Sequence, residues 1–231
     1  MPALRKIFMM IHFPTTITDN FFDDPWYVID LANRVDYKPS SSGNWPGVRS
    51  LLLEDIDKEF FNYFIKRFYL QFYDHEYITS GMFGVKAQTY FQKITGEEQG
   101  WIHSDYPHTH TIINYLTPGA RADTGTCLYK KRNEDIRDDL QETKLQYYRG
   151  NVSKEVADEA RELHNEQFIE DTRVGNIFNR CIAFDSQLWH GAQGFDDTQE
   201  RLTMITFVTH VICKGTPLAA SRSMPFIREG R

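Results

Sequence analysis

The segment Trp101-Ile102-His103-Ser104-Asp105 sets an imidazole and a carboxylate two residues apart. On an extended chain, residues i and i+2 point the same way, so these two side chains can meet at one point. A second imidazole, His190, lies 85 residues beyond Asp105 in Trp189-His190-Gly191, and a guanidinium, Arg201, lies eleven residues further on. Neutral imidazole and carboxylate bind divalent cations, and a planar guanidinium can grip a carboxylate through two parallel hydrogen bonds. The four residues together describe a metal centre with an anion held beside it.

The spacing alone is not selective, because His164-Asn165-Glu166 repeats it. That triplet falls on a helical pattern, where i and i+2 diverge, so it is not expected to chelate. His103 and Asp105 lie instead in an extended, glycine-flanked stretch between two strand segments. Two imidazoles and one carboxylate on one face leave three coordination positions open, which suits Fe(II) oxygenases; by ligand type alone Zn(II) or Mn(II) fit as well. Arg201 begins a segment on which Arg201, Thr203, Ile205 and Phe207 share one face and Leu202, Met204, Thr206 and Val208 the other. An arginine at the end of an inward-facing apolar row needs a buried anion, since an unpaired buried charge is costly. A carboxylate meeting both prongs of Arg201, with the Thr203 hydroxyl beside it, supplies one.

The elements that must position these residues are mostly strands. Asp24-Pro25 reads as a cap and first position of a short helix towards Arg34. The Pro- and Gly-bearing stretch from Tyr37 to Ser50 reads as a loop. From Leu51 to Tyr69, Leu53, Ile56, Phe60, Phe64 and Phe68 recur at helical spacing and predict one amphipathic helix. From Gly84 the period becomes two, with strands expected at Val85–Ile94, Thr109–Thr117, Thr126–Lys130, Gly175–Asn179, Arg180–Asp185, Gln187–Ala192 and Arg201–His210. Many short strands with polar punctuation predict a mainly β protein with flanking helices, a jelly-roll or cupin-like barrel. Residues 131–173, with 12 acidic and 8 basic side chains, interrupt the series. They read as a helical insertion, either a solvated hairpin or a substrate lid. The whole chain, 1–231, reads as one domain. An N-terminal strand (Ile7 to Ile11) and supporting helices occupy 1–84, a barrel core 85–210 and a tail 211–231.

The ordered set His103-Ser104-Asp105, Thr111-Ile112-Ile113-Asn114-Tyr115-Leu116-Thr117, Gly125-Thr126, His190 and Arg201-Leu202-Thr203 resembles the 2-oxoglutarate- and Fe(II)-dependent oxygenases of the prolyl 4-hydroxylase-like group. The resemblance spans residues 85–210; it is specific at four functional positions and distant elsewhere. It implies a double-stranded β-helix with His103, Asp105 and His190 as iron ligands and Arg201 on the distal carboxylate of 2-oxoglutarate. O2 would be the second co-substrate, with succinate and CO2 as products. Tyr115, in a Tyr-Leu-Thr resembling the family's Tyr-Leu-Asn, would donate a hydrogen bond to the same carboxylate. A Tyr or Asn often found near the co-substrate on the preceding strand falls here among Tyr90, Gln92 and Ile94, with Gln92 carried as a candidate contact. The usual Gly-Gly is Gly125-Thr126. Asp105 itself disfavours halogenation, which in this family requires a small residue at that position.

Bulk properties narrow the partners. A net charge of −6 and 14% aromatic content predict a well-packed core without a broad basic face, so nucleic acid is an unlikely substrate. A protein side chain such as proline, or a small metabolite, is the expected substrate, with a homodimer open. Cys127, Cys181 and Cys213 are widely spaced and read as reduced thiols, and no apolar run has the length of a membrane span, so a cytoplasmic protein is expected. His108 and His110 are expected on the strand face opposite Tyr115, away from the metal. Two other functional classes share these residues: a non-redox cupin-like isomerase or hydrolase using Zn(II) or Mn(II), and a non-catalytic binding module with the 131–173 insertion as its partner surface.

Overall fold

Alternation along the strands gives each sheet two usable faces, and the chain covers one with helices and the other with a second sheet. The structure is a computed structural model describing residues 13–39, 45–81, 83–96, 100–133, 137–196 and 199–212. β1 (Thr16–Thr18) precedes α1 (Pro25–Asn33). Asp24 caps α1 by accepting from the Trp26 and Tyr27 amides, and Pro25 occupies a first-turn position that needs no donor. The stretch expected as a loop over 37–50 instead contributes an antiparallel ribbon, β2 (Tyr37–Pro39) and β3 (Val48–Ser50). Three-residue strands leave no alternation to read, and Pro39 is tolerated because β2 is the sheet edge. The single helix expected over 51–69 is two, α2 (Leu53–Ile56) and α3 (Lys58–Tyr69). They part at Asp57, whose backbone is extended and whose side chain caps α3 through the Phe60 amide at 2.9 Å. α4 (His75–Thr79) follows.

The remaining elements are β4 (Gly84–Ile94), β5 (His110–Tyr115), β6 (Thr126–Lys131), α5 (Asp138–Tyr148), α6 (Lys154–Asn165), β7 (Phe168–Val174), β8 (Cys181–Asp185), β9 (Trp189–Ala192) and β10 (Arg201–Ile212). Among the described residues, a seven-stranded sheet has the order β1-β8-β5-β10-β4-β3-β2 and a three-stranded sheet the order β7-β6-β9. Ile113 and Tyr115 of β5 and Ile182 and Phe184 of β8 pack against Leu128 of β6 and Val174 of β7 between the sheets. This is the mainly β, double-stranded β-helix expected from the sequence.

The strand expected at Gly175–Asn179 is a loop; the strand is β7, just before it. Its sequence sits inside the charged 131–173 stretch because β7 is an edge strand. Outward Glu170, Asp171 and Arg173 suit an edge that must not recruit another strand. Among the described residues, the 131–173 stretch is therefore helical only at α5 and α6. Gly125, just before β6, is required by close approach: a Cβ there would lie 1.9 Å from the Val174 carbonyl oxygen.

The main core lies on the outer face of the large sheet. Phe60, Phe61, Phe64 and Phe68 of α3 share one cluster with Phe91, Ile112, Met204 and Val208 from three strands. Phe64 and Phe68 are fully buried, each contributing about 1.5–3 kcal/mol by burial. Ile112 belongs to this cluster and Ile113 to the inter-sheet one, as period two requires. His110 shares the outer face, stacked on Phe13 at 3.9 Å with its Nε2 2.6 Å from the Tyr69 hydroxyl. Cys127 and Cys181 are buried free thiols. Among the described residues no helix is long and apolar enough to cross a membrane. The strand expected at residues 7–11, Cys213 and the tail from Lys214 to Arg231 lie outside the described residues.

Candidate metal centre

Backbone pairing brings the two ligand histidines together. His103 and His190 form a two-way antiparallel bridge, each amide donating to the other's carbonyl at 2.8 Å. The 101–103 segment thus continues the small sheet beyond β9. Close contact is built in: a Cβ on Gly100 would sit 2.8 Å from the Ala192 carbonyl. Asp105 is fixed by its own amide, which donates to Ser186 at 2.8 Å. One ligand atom from each of His103, Asp105 and His190 lies within 4.8 Å of the others.

The hydrogen bonds define which atoms face inward. His103 Nδ1 is 2.8 Å from the Trp101 carbonyl, and His190 Nδ1 is 2.9 Å from the Leu188 carbonyl. A carbonyl only accepts, so each Nδ1 carries the proton and each Nε2 offers a lone pair. These Nε2 atoms lie 3.6 Å (His103) and 3.2 Å (His190) from the two Asp105 oxygens. With both Nε2 atoms unprotonated, three acceptors face one point, an arrangement that a cation completes. Enclosure in the site, with Lys144 and His190 nearby, pushes His103 down to about 3, so its imidazole is neutral at pH 7. Burial opposes ionisation of Asp105, but His190, His103 and the Thr111 hydroxyl hold its carboxyl below the usual range. Neutral imidazoles and an ionised carboxylate are the ligating forms.

Two hydroxyls missed in the sequence orient that carboxylate. Thr111 Oγ1 donates to Asp105 Oδ2 at 2.6 Å and lies 2.9 Å from Ser186 Oγ. The signal was available, since Thr111, Ile113 and Tyr115 share the inward face of β5. The rejected triplet also has a use. His164 Nε2 donates to the Ile102 carbonyl at 2.7 Å, Asn165 Oδ1 accepts from the Ile102 amide at 3.0 Å, and Asn165 Nδ2 donates to Gly100 at 3.1 Å. α6 thereby clamps the strand that carries His103 and Asp105.

The triad opens into a cavity of about 540 Å³, whose wall includes Arg201, Gln92 and Thr126. Arg201 is 8% exposed, its Nε lacks a hydrogen-bond partner, and burial lowers its pKa. Among the described residues it forms no ion pair; the rings of Tyr115 and Phe195 flank its guanidinium at 5.6 and 5.7 Å. Register explains the grouping, for Thr203 pairs with both Gln92 and Tyr115 across three strands. Thr203 and Tyr115 lie in this row just behind the wall. The Tyr115 hydroxyl donates to Thr126 Oγ1 at 2.7 Å, and the Gln92 amide donates to the Pro46 carbonyl at 2.9 Å.

The structure adds residues at the other end of the cavity. Arg49 of β3 and Lys144 of α5 both line it. Lys144 follows Leu140 by one helical turn and so lies on the buried stripe of α5, a legible signal; Arg49 sits on a strand too short to recognise. The two neighbouring histidines part company. His110 is in the outer core, as expected, but His108 precedes the strand, lines the cavity and packs on Phe207 at 5.2 Å.

Solved structures agree on the fold. HygX from Streptomyces hygroscopicus, with nickel and 2-oxoglutarate bound, aligns at a TM-score of 0.54 and 11% identity over 84% of this chain and 82% of that one. The same protein with hygromycin B also bound gives 0.52 at 11% identity, covering 84% and 82%. By sequence the chain belongs to DUF6445, a family of unknown function, whose profile matches residues 7–208. No curated protein matches the sequence.

Proposed function

We propose that this protein is a 2-oxoglutarate- and Fe(II)-dependent oxygenase that hydroxylates a C–H bond of its substrate. The observation that carries the reading is the pairing, in one cavity, of three converging lone-pair donors with a buried arginine that has no anion of its own. His103, Asp105 and His190 would hold the ferrous ion, and Arg201 the distal carboxylate of 2-oxoglutarate. When bound, iron with 2-oxoglutarate and O2 supplies the oxidation, inserting one oxygen atom into the substrate and releasing succinate and CO2. The residues of the chain do the rest. Trp101 and Leu188 fix the imidazole tautomers through their carbonyls, and Thr111 holds the Asp105 carboxylate in one orientation. Tyr115 and Phe195 flank the Arg201 guanidinium, Thr203 and Gln92 complete the row beside it, and the enclosing wall keeps its charge out of bulk water, so that an anion binds it more strongly than it would in water.

The fold shared with a protein solved with nickel and 2-oxoglutarate supports this reading. The test is succinate formation from 2-oxoglutarate by the Fe(II)-loaded protein in air, with His190→Ala and Arg201→Ala as controls. Turnover is expected to vanish in both variants and without O2. Activity that persists anaerobically, or with Zn(II), would establish a non-redox metalloenzyme instead.

A further inference from the structure

The cavity has more positive charge than the oxygenase reading uses. Its wall carries Arg49, Lys144 and Arg201, with Lys38 at the rim, against a single carboxylate among the described residues, Asp105. This occurs in a chain of net charge −6, so a concentration of cations there is not a reflection of composition. Once a divalent ion sits on Asp105 and a dicarboxylate on Arg201, those charges cancel together. Arg49 and Lys144 remain.

Neither is a surface cation that happens to face inward. Lys144 is 8% exposed and, among the described residues, forms no ion pair or hydrogen bond. The Arg49 Nε is buried without a partner. Its guanidinium lies over aromatic faces, of Trp45 at 4.2 Å, Phe207 at 5.3 Å and Tyr90 at 5.7 Å. Cation–π contacts of this kind offset part of the cost of burial and leave the in-plane N–H groups free to donate. Burial lowers both, Arg49 to about 10 and Lys144 to about 8; Asp105 attracts each of them, and Arg49 repels Lys144. Both remain charged at pH 7. Two desolvated cations that share one carboxylate, itself a metal ligand, are costly unless an anion completes them.

We infer that Arg49 and Lys144 form the recognition site for an oxyanion, a carboxylate or phosphate, carried by a small-molecule substrate. The aromatic side chains around Arg49, namely Trp45, Tyr90 and Phe207, receive the substrate's apolar body. This rests on the oxygenase reading of the same cavity. It selects a compact metabolite over a polypeptide because Lys144 is enclosed and α5 also contributes Gln141 and Tyr148 to the wall, in a volume typical of small-molecule sites.

Direct binding tests this without turnover. The full chain, loaded with Zn(II) and saturated with 2-oxoglutarate to fill the Arg201 end, is titrated calorimetrically with 3-phenylpropanoate, phenyl phosphate and the uncharged 3-phenylpropanamide. At least one acid is expected to bind tenfold or more tightly than the amide; which one identifies the oxyanion. Arg49→Gln and Lys144→Met should each weaken the acid at least tenfold, while leaving the amide and 2-oxoglutarate unchanged. Arg49→Lys should recover most of the binding, and retained 2-oxoglutarate binding shows that each variant is folded. Equal binding of acids and amide, or acid binding indifferent to Arg49→Gln and Lys144→Met, overturns the inference. So does loss of 2-oxoglutarate affinity in a variant with wild-type thermal stability, which would assign the pair to the co-substrate. Failure of the oxygenase reading looks different: 2-oxoglutarate does not bind the wild type, whereas the acid still binds through Arg49.

Discussion

At the scale of single residues, the site holds its charges in tension until ligands arrive. Arg201 is buried with its Nε unpaired, so the ligand-free protein bears its desolvation cost. Arg201→Met should raise the stability of the ligand-free protein by about 1–3 kcal/mol, measured by urea unfolding. The same variant should lose 2-oxoglutarate binding by roughly a hundredfold or more in calorimetry. A variant that is less stable when free would mean that Arg201 already has a structural partner. Thr111 offers a second test because its hydroxyl is 2.6 Å from Asp105 Oδ2. Thr111→Val preserves shape and removes the donor. Competition against a chelator should show metal affinity weakened by about ten- to a hundredfold; unchanged affinity would mean that Asp105 needs no orienting partner.

At the scale of elements, the helical hairpin is a brace for the metal strand as well as a wall of the cavity. Asn165 bonds both the Ile102 amide and the Gly100 carbonyl. Asn165→Ala leaves those backbone groups without partners, so a stability loss of about 1–3 kcal/mol is expected. Faster amide exchange at Ile102 should accompany it, and exchange at the wild-type rate would remove the bracing role. The hairpin also shows where sequence reading works. Period two in β5 and β10 put Tyr115 on the face between the sheets and Arg201 on the cavity wall, because each strand has its other face in the outer core. The triad was legible for the same reason: an i, i+2 pair is informative only on extended chain. Three features were not. The ribbon β2–β3 was too short to alternate, β7 was disguised by the charges its edge position demands, and Asp57 split a helix without breaking its apolar stripe. Arg49 was lost with the ribbon. The contacts of Thr111, His164 and Asn165 depend on segments distant in sequence, which no local pattern encodes.

At the scale of the molecule, stability should depend on acidity through a group remote from the cavity. Burial holds His110 down to about 3, against an ordinary value of 6.5. As pH falls from 6.5 towards 3, the unfolded chain binds a proton that the folded protein refuses, so His110 contributes stability above that window that is lost within it. The slope from this one residue approaches about 1.4 kcal/mol per pH unit. Urea unfolding across pH 4–6.5 should therefore give a shallower dependence for His110→Gln, by about one proton. Parallel curves for variant and wild type would mean that His110 is protonated in the fold. The two cationic ends of the cavity also differ in how deeply they are built in. Arg201 belongs to β10, a central strand flanked by β4 and β5. Arg49 and Lys144 come from an edge ribbon and a helical hairpin, each joined to the barrel along few backbone bonds. Neither of those two appendages pairs with the strand that carries Arg201. On the proposed function, changes in the two appendages would alter the substrate admitted and leave the Arg201 end of the site as it is.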